Sequence, residues 1–256
     1  MITSTEAIAL RISPFSETSH IVVWLTPAYG KLVTIVKGAC RPKSYFLGQY
    51  DLFYTCELLF YMREREGIYI AKECAPLKIR PRFRTDWRAF LAASYVGALI
   101  TAVTLPGEHQ AEVYRHTALT LDSLSDFGAD AELVFWFELR LASLLGFAPQ
   151  LWKCSACNVE ISGASTTTFG WARGGLLCPR CSRKEPASTM RLTPSVLAIL
   201  RCWQRAGSPR TAKSIRCTEH QLATIGTSLE VFLRYHLEPV PSMRTEVLNI
   251  LAEHRK

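Results

Sequence analysis

The chain has 256 residues, of which 48% are hydrophobic and 20% are charged, with 14 glycines and 13 prolines. This composition is typical of a globular protein and excludes intrinsic disorder and fibrous repeats. The net charge of +8 is unevenly spread, because residues 1–85 and 151–256 are basic whereas residues 86–150 are acidic. Two basic regions favour an anionic partner, although many soluble proteins of this charge bind none.

No segment of the sequence predicts a membrane span or a secretory signal. The longest uncharged apolar run, residues 89–105, is short for a span and contains polar residues, so we predict a buried core helix there. The first twenty residues hold Glu6 and Arg11 and no continuous apolar run, unlike a signal peptide. We therefore expect a soluble, cytoplasmic protein without a membrane partner.

The N-terminal third has the pattern of short strands separated by turns. β-Branched and aromatic residues fill these strands, and Gly, Pro and Ser mark the turns. About 75 residues with five or six strands suit an OB-type barrel, which we predict over residues 1–80. The predicted strands span residues 7–12, 21–25, 31–36, 52–62 and 68–71, with a polar turn at residues 63–67.

Helical periodicity replaces the strand pattern after Pro81. Apolar residues recur there at three- and four-residue steps, as on the buried face of a helix. Further helices are predicted over residues 111–123 and 131–145, after residue 194, near residue 222 and from about residue 242. The predicted fold class is thus α+β and multidomain: an N-terminal all-β OB-type barrel and a C-terminal helical bundle. The bundle is predicted over residues 81–150 and 185–256, with a separate module at residues 151–184.

Four cysteines define that inserted module. Cys154 and Cys157 form one C-x2-C pair, and Cys178 and Cys181 form another after twenty intervening residues. Two such pairs fill the four tetrahedral positions of zinc and leave none open for water, so we predict one structural Zn²⁺. Another metal or a redox dithiol pair remains an alternative. The other five cysteines (Cys40, Cys56, Cys74, Cys202 and Cys217) are interpreted as ordinary thiols.

Basic residues of the predicted barrel lie close in sequence to Tyr29, Tyr45, Phe46 and Tyr50. Cations beside aromatic faces suit single-stranded nucleic acid, because phosphates take the charge while bases stack. The alternative is that the aromatic residues belong to the barrel core and the cations are merely solvated. The candidate DNA-binding residues are Lys31, Lys37, Arg41, Lys43, Arg80 and Arg82.

Catalytic motifs are lacking in the sequence. The six histidines have no metal-site or triad spacing, and the chain has no Walker-type glycine loop, no G-x-S-x-G and no carboxylate cluster suited to two-metal chemistry. We therefore expect a binding protein and not an enzyme.

With these motifs the chain resembles the bacterial recombination mediator family RecO over nearly its whole length. The element Lys37-Gly-Ala-Cys-Arg-Pro-Lys-Ser44, in its barrel context, is quite specific. The further matching segments are residues 17–23, 25–31, 137–147, 233–237 and 241–244. The turn after Thr26 departs from the family, which commonly has an acidic residue there.

The resemblance implies a non-enzymatic protein that binds single- and double-stranded DNA and anneals complementary strands. It further implies action with RecR that helps RecA displace single-strand-binding protein in gap and break repair, at the nucleoid, and docking of that protein's acidic tail on the helical domain. Residues that dock partner proteins are not predicted. Two other classes stay open: a zinc-containing RNA-binding or ribosome-associated factor, and a hydrolase with catalytic zinc, which four thiolate ligands disfavour.

Overall fold

The computed structural model describes residues 1–62 and 67–253. Most of the predicted polar turn at residues 63–67 lies outside the described residues. The chain divides into two compact units, the first spanning Met1–Gly128 and the second beginning at Ala129.

The first unit opens with a closed five-stranded barrel, which confirms the prediction of an OB-like fold. The strands follow the order β1-β2-β3-β5-β4 around the barrel, and every neighbouring pair is antiparallel except β3 and β5. The strands are β1 (Ile2–Ser16), β2 (Ser19–Thr26), β3 (Gly30–Val36), β4 (Thr55–Tyr61) and β5 (Ile68–Lys78).

Alternation of side chains along the strands builds the barrel core. In β3, Leu32, Thr34 and Val36 are buried while the residues between them are half-buried. The inward Trp24 of β2 is fully buried, and its indole N–H donates to the hydroxyl of Thr34 over 2.9 Å. The one polar atom of this large side chain is therefore satisfied inside the barrel.

Two helices complete the first unit, after a short 3-10 turn at Pro81–Arg84. Helix α1 (Trp87–Val103) begins at Asp86, whose carboxylate accepts from the backbone N–H groups of residues 88 and 89. Helix α2 (Ala111–Phe127) follows. Helix α1 buries Tyr95 and Leu99, which confirms the core helix predicted for the uncharged run.

Helices α1 and α2 belong to the same compact unit as the barrel. Side-chain bonds connect them to it. Lys31 donates to the carbonyl of Thr101 in α1 over 3.0 Å, and the hydroxyl of Tyr114 in α2 donates to Glu6 over 3.1 Å. Arg80, at the end of the barrel, is bound to Asp122 of α2 by contacts of 2.7 and 2.9 Å.

The second unit combines helices with a small sheet. Its sheet has the order β7-β6-β8, with antiparallel pairing throughout. Its strands are β6 (Thr167–Gly170), β7 (Gly175–Leu177) and β8 (Thr189–Leu192). Its helices are α3 (Ala131–Leu144), α4 (Pro179–Ser182), α5 (Pro194–Arg205), α6 (Pro209–Lys213), α7 (Glu219–His236) and α8 (Arg244–Ala252).

Helix α3 is buried along nearly its entire length, including Trp136 and Phe137. Its buried Glu138 forms a bidentate pair with Arg244 at the start of α8, with N–O distances of 2.6 and 2.8 Å. A fully buried carboxylate needs such a partner, because charge without one is very unfavourable in the interior. Helices α3 and α8, which lie on either side of the cysteine segment in sequence, are thus joined in one unit.

Candidate nucleic-acid interface and metal centre

The connection between β3 and β4 carries three exposed cations. We name residues 37–50 the basic loop. Lys37, Arg41 and Lys43 are all exposed in it. Gly38 takes the positive φ of +70° that the first turn requires, and the N–H of Arg41 closes that turn by donating to its carbonyl over 3.2 Å. Three of the predicted DNA-binding residues are therefore brought together, with their side chains in solvent.

The basic loop is fixed to the barrel at its first turn and by its aromatic residues. The backbone N–H of Cys40 donates to the carbonyl of Thr18 in the β1–β2 turn over 3.1 Å. Ala39 is buried, and the Tyr50 ring lies 6.0 Å from Trp24. The cations are thus displayed from a positioned segment, which reduces the conformational entropy that binding an anion would remove.

The four aromatic residues near the loop divide into two groups. Tyr29, Phe46 and Tyr50 pack against the barrel core, as the alternative interpretation of the sequence held. Tyr45 is 97% exposed. Among these four, it is therefore the ring with both faces open for stacking on a base.

Lys31, Arg80 and Arg82 have different surroundings. Lys31 is the second residue of β3 and lies six residues before Lys37, which is roughly 20 Å at 3.3 Å per residue. Its side chain binds helix α1. Arg82 donates to the carbonyls of residues 125 and 126 over 2.6 and 3.2 Å, at the C-terminal end of α2. These two cations hold helices in the first unit.

Arg80 is 3% exposed, so phosphate does not reach it. Its guanidinium is surrounded by the Asp122 carboxylate, the carbonyl of Phe53 and the hydroxyl of Thr55. Burial lowers the pKa of Arg80, and the charge of Asp122 opposes that effect. The prediction that Arg80 binds DNA is therefore corrected by its burial, because its guanidinium is bound inside the protein.

The four predicted metal ligands come together in the second unit. The sulfur atoms of Cys154, Cys157, Cys178 and Cys181 all lie within 4.8 Å of one another. The sulfurs of Cys157 and Cys178 are 3.7 Å apart, close to the roughly 3.8 Å expected between ligands of a tetrahedral site with Zn–S bonds of about 2.3 Å. The donor set and its spacing fit one structural zinc ion.

Backbone donors favour the thiolate form of two of the four cysteines. Burial opposes ionisation of the Cys154 thiol, but hydrogen bonds from the backbone N–H groups of Cys178, Ala156 and Cys157 outweigh it and lower its pKa to about 6. The pKa of Cys178 is also lowered, chiefly by the N–H of Cys181. Thiolates are the form that binds metal, so these donors favour coordination.

The module around the cluster has only a small apolar core beside the sulfur atoms. Its core consists of Cys154, Leu177 and Cys178, with Ile161 and Cys181 beside them. Strands β6 and β7 and their connection lie between the two cysteine pairs. A metal ion bound there would contribute stability that a segment of this size does not gain from hydrophobic burial alone.

Arg201 of α5 is a positioning residue that the sequence did not reveal. Its guanidinium donates to the carbonyls of Leu151, Ile161 and Ser162 over 2.6 to 2.8 Å. It also lies 4.4 Å from the centre of the Trp152 ring. Arg201 thereby fixes the first cysteine pair to the helices. Its place on an ordinary amphipathic helix gives no local signal of this role.

Comparison with known proteins gives two family matches that cover most of the chain. Residues 1–80 match the model described as "Recombination protein O N terminal", and residues 84–245 match "Recombination protein O C terminal". The chain belongs to the RecO family. The resemblance inferred from the sequence motifs is thus confirmed.

Three relatives named "DNA repair protein RecO" illustrate the extent of the similarity. The protein from Moorella thermoacetica (strain ATCC 39073 / JCM 9320) is 26% identical over 235 residues, covering 91% of this chain and 85% of the relative. That from Roseiflexus sp. (strain RS-1) is 29% identical, covering 93% and 82%. That from Desulfosudis oleivorans (strain DSM 6200 / JCM 39069 / Hxd3) is 27% identical, covering 98% of each chain.

The RecO family is a family of DNA repair and recombination proteins, and this chain is one of its members. The names of these relatives state a role in repair and no catalysed reaction. Within residues 1–62 and 67–253, no helix is both long and apolar enough to cross a membrane.

Proposed function

We propose that this protein is a DNA-binding recombination mediator that uses the basic loop to hold DNA. The observation that carries the proposal is the display of Lys37, Arg41 and Lys43 on an OB-like barrel in a RecO family chain. Exposed cations neutralise phosphates, and this interaction is independent of base sequence. Tyr45 beside them offers a ring on which a base of a single strand can stack.

Annealing follows from this chemistry without an enzymatic step. A protein that binds phosphate without reading bases can hold two complementary strands close together and leave their base edges free to pair. The proposed activity therefore needs no nucleotide hydrolysis. The zinc proposed for the four-cysteine cluster would be structural, since four thiolates leave no coordination position open.

The proposed partners are single- and double-stranded DNA, RecR and single-strand-binding protein, with RecA acting downstream on the exposed strand. Support for these partners comes from family membership. The proposed place of action is the nucleoid in the cytoplasm, where such DNA is found.

A groove on the second unit constrains where an acidic tail can dock. This groove of about 620 Å³ lies between α3, α7 and α8, with Phe135 and Leu222 among its apolar residues. Its lining also includes Glu219 and Glu253, whereas its Arg244 is bound to the buried Glu138 and lies 3.8 Å from Glu230. Like charges would repel an acidic peptide there. We therefore propose that the tail of single-strand-binding protein docks outside this groove.

The decisive experiment measures annealing of complementary oligonucleotides coated with single-strand-binding protein, with and without RecR. We expect faster annealing without ATP, and loss of that acceleration in a Lys37/Arg41/Lys43 triple alanine variant. A folded wild-type protein that leaves the annealing rate unchanged would exclude the proposed function. Affinity for matched DNA and RNA strands at one salt concentration separates it from an RNA-binding role, which predicts a preference for RNA.

Tyr45→Ala tests the stacking contribution, because this side chain is exposed and its removal leaves the barrel core intact. We expect weaker binding to single strands, by about 1–3 kcal/mol if one base stacks on it, and little change for duplex DNA, whose bases are already stacked. Tyr61→Ala, at another exposed tyrosine of the barrel, is the matched control. An equal loss on both DNA forms would contradict stacking.

A further inference from the structure

A cysteine in the basic loop lies beside a histidine and a tyrosine. The sulfur of Cys40 is 3.2 Å from Nε2 of His20, and Nδ1 of the same ring is 2.7 Å from the hydroxyl oxygen of Tyr50. Cys40 is exposed. The bond between its backbone N–H and Thr18 holds the thiol at this position.

These three side chains have the geometry of an activated nucleophile. A thiol within hydrogen-bond reach of an imidazole can transfer its proton to the ring, and a third group that binds the other ring nitrogen fixes the ring's orientation. With a proton on Nδ1 donated to the Tyr50 oxygen, Nε2 is free to accept the Cys40 proton. Burial, followed by the charge of Cys40, raises the pKa of Tyr50, so the phenol remains neutral and can accept from the ring.

The other cysteines have different surroundings. Cys56 and Cys74 are buried in the barrel core, and four cysteines form the metal cluster. Cys217 is half-buried, and burial followed by the charge of Asp130 raises its pKa to about 11. Cys202 is exposed like Cys40, but within the described part of the chain no histidine is hydrogen-bonded to its sulfur. Cys202 is therefore a matched control in the same molecule.

We propose that Cys40 is a reactive thiol that exchanges with small disulfides, with His20 as the base. The Cys40 thiolate attacks one sulfur of the disulfide, a new S–S bond forms, and the old one breaks. The leaving thiolate takes the proton held by His20, so the products are a mixed disulfide and one free thiol. No other oxidant is needed. Reduction by excess thiol reverses the reaction.

The position of Cys40 gives this modification a consequence for DNA binding, which rests on the proposed function of the basic loop. Arg41 follows Cys40 directly, and Lys37 lies three residues before it. A mixed disulfide with glutathione places a bulky group of net negative charge between these cations. We therefore infer that the modification weakens DNA binding and that reduction restores it.

The first experiment measures the reaction of the zinc-loaded protein with the aromatic disulfide 5,5′-dithiobis(2-nitrobenzoic acid) at pH 7. Cys40→Ser and Cys202→Ser assign the kinetic phases. We expect Cys40 to react about tenfold faster than Cys202, and His20→Gln to reduce the Cys40 rate to within about twofold of the Cys202 rate. Equal rates for the two thiols, or a Cys40 rate that His20→Gln leaves unchanged in a folded protein, would overturn the proposal.

The second experiment measures affinity for a single-stranded oligonucleotide before and after glutathionylation of the Cys202→Ser protein. We expect about a tenfold loss that dithiothreitol reverses, and no effect of the same treatment on a Cys40/Cys202 double serine variant. Unchanged affinity would overturn the inferred control of DNA binding if the triple alanine variant of the loop does lose affinity. If that variant binds normally, the function proposed for the loop is wrong, while the reactivity of Cys40 is judged by the kinetics alone.

Discussion

The two units of this protein each contain a buried ion pair, but they differ in how they hold their irregular segments. Each buries an arginine against a carboxylate, Arg80 with Asp122 in the first unit and Arg244 with Glu138 in the second. The basic loop is anchored by aromatic packing on the barrel, whereas the segment with the cysteine pairs surrounds a potential metal site. Metal removal should therefore destabilise the second unit and leave the first unit folded. Loss of either arginine–carboxylate pair should destabilise only the unit that contains it.

The largest expected effect is loss of metal from the second unit. Cys157→Ser should abolish zinc binding, because three thiolates replace a complete tetrahedral set and the module has little apolar core of its own. Structural zinc contributes about 10–16 kcal/mol in small zinc-finger peptides. Elemental analysis should find one zinc per wild-type chain and almost none in the variant, with proteolysis concentrated in residues 151–184 and the barrel intact.

Cys202→Ser is the control for that comparison, since Cys202 is exposed and lies outside the cluster. It should retain the metal. Absence of zinc from wild-type protein purified without chelator would refute the metal site, and cleavage of the barrel at the same rate as the module would refute the independence of the two units.

Arg244→Ala should have the next largest effect. The substitution leaves Glu138 fully buried without its bidentate partner, and broken buried pairs typically cost about 3–5 kcal/mol. Urea unfolding of the zinc-loaded protein measures this loss. Arg234→Ala removes an exposed arginine paired with Glu230 and should change stability by less than about 1 kcal/mol. Similar losses of stability for the two variants would show that removing the partner of the buried Glu138 costs no more than removing an exposed ion pair.

Asp122→Ala tests the equivalent pair in the first unit and should be somewhat milder, at about 3 kcal/mol. The half-buried carboxylate binds both Lys78 and Arg80, and its removal leaves the Arg80 guanidinium unpaired in the interior. Asp126→Ala, at an exposed carboxylate on the same helix, is the control and should leave the urea midpoint nearly unchanged. If Asp122→Ala also leaves the urea midpoint unchanged, the buried charge of Arg80 does not need the Asp122 carboxylate of α2 for stability.

The smallest effect on stability is expected for the basic loop. Alanine at Lys37, Arg41 and Lys43 should change the free energy of unfolding by less than about 0.5 kcal/mol, because all three side chains are exposed. The slope of log affinity against log salt should nevertheless fall by about 0.7 on single strands for each phosphate that the variant no longer neutralises. Lys72→Ala removes a cation from β5 that pairs with Glu73 and should leave the slope unchanged. Equal slopes for wild type and the triple variant would exclude the loop from DNA binding.

The parts of this structure that were predictable depend on local pattern. Residue spacing identified the four cysteines of the candidate metal site, because a chelating pair must lie within one turn of chain. Alternation and turn residues located the five strands, and three- to four-residue periodicity located the principal helices. The exposed positions of Lys37 and Arg41 followed from the adjacent turn residues.

The parts that were not predictable depend on distant partners. Arg80 has the same local surroundings in sequence as Arg82, yet it is buried because Asp122 lies opposite it in space. The bonds that join α1 and α2 to the barrel also depend on distant partners, such as Lys31 with Thr101. Tyr50 and Tyr45 are five residues apart, but one packs against Trp24 and the other is open to solvent. Composition does not distinguish these roles.

The Arg80–Asp122 bond has a consequence for the order in which the protein matures during its synthesis. The last barrel strand ends at Lys78, but the carboxylate that neutralises Arg80 follows that arginine by 42 residues. When only the barrel sequence has left the ribosome, the Arg80 guanidinium must therefore stay in water. The Phe53 carbonyl and the Thr55 hydroxyl then lack the hydrogen bonds that Arg80 donates to them in the folded protein. We expect Arg80 to bind these two groups at the start of β4 only after α2 has left the ribosome. The N-terminal 128 residues should therefore complete their folding together.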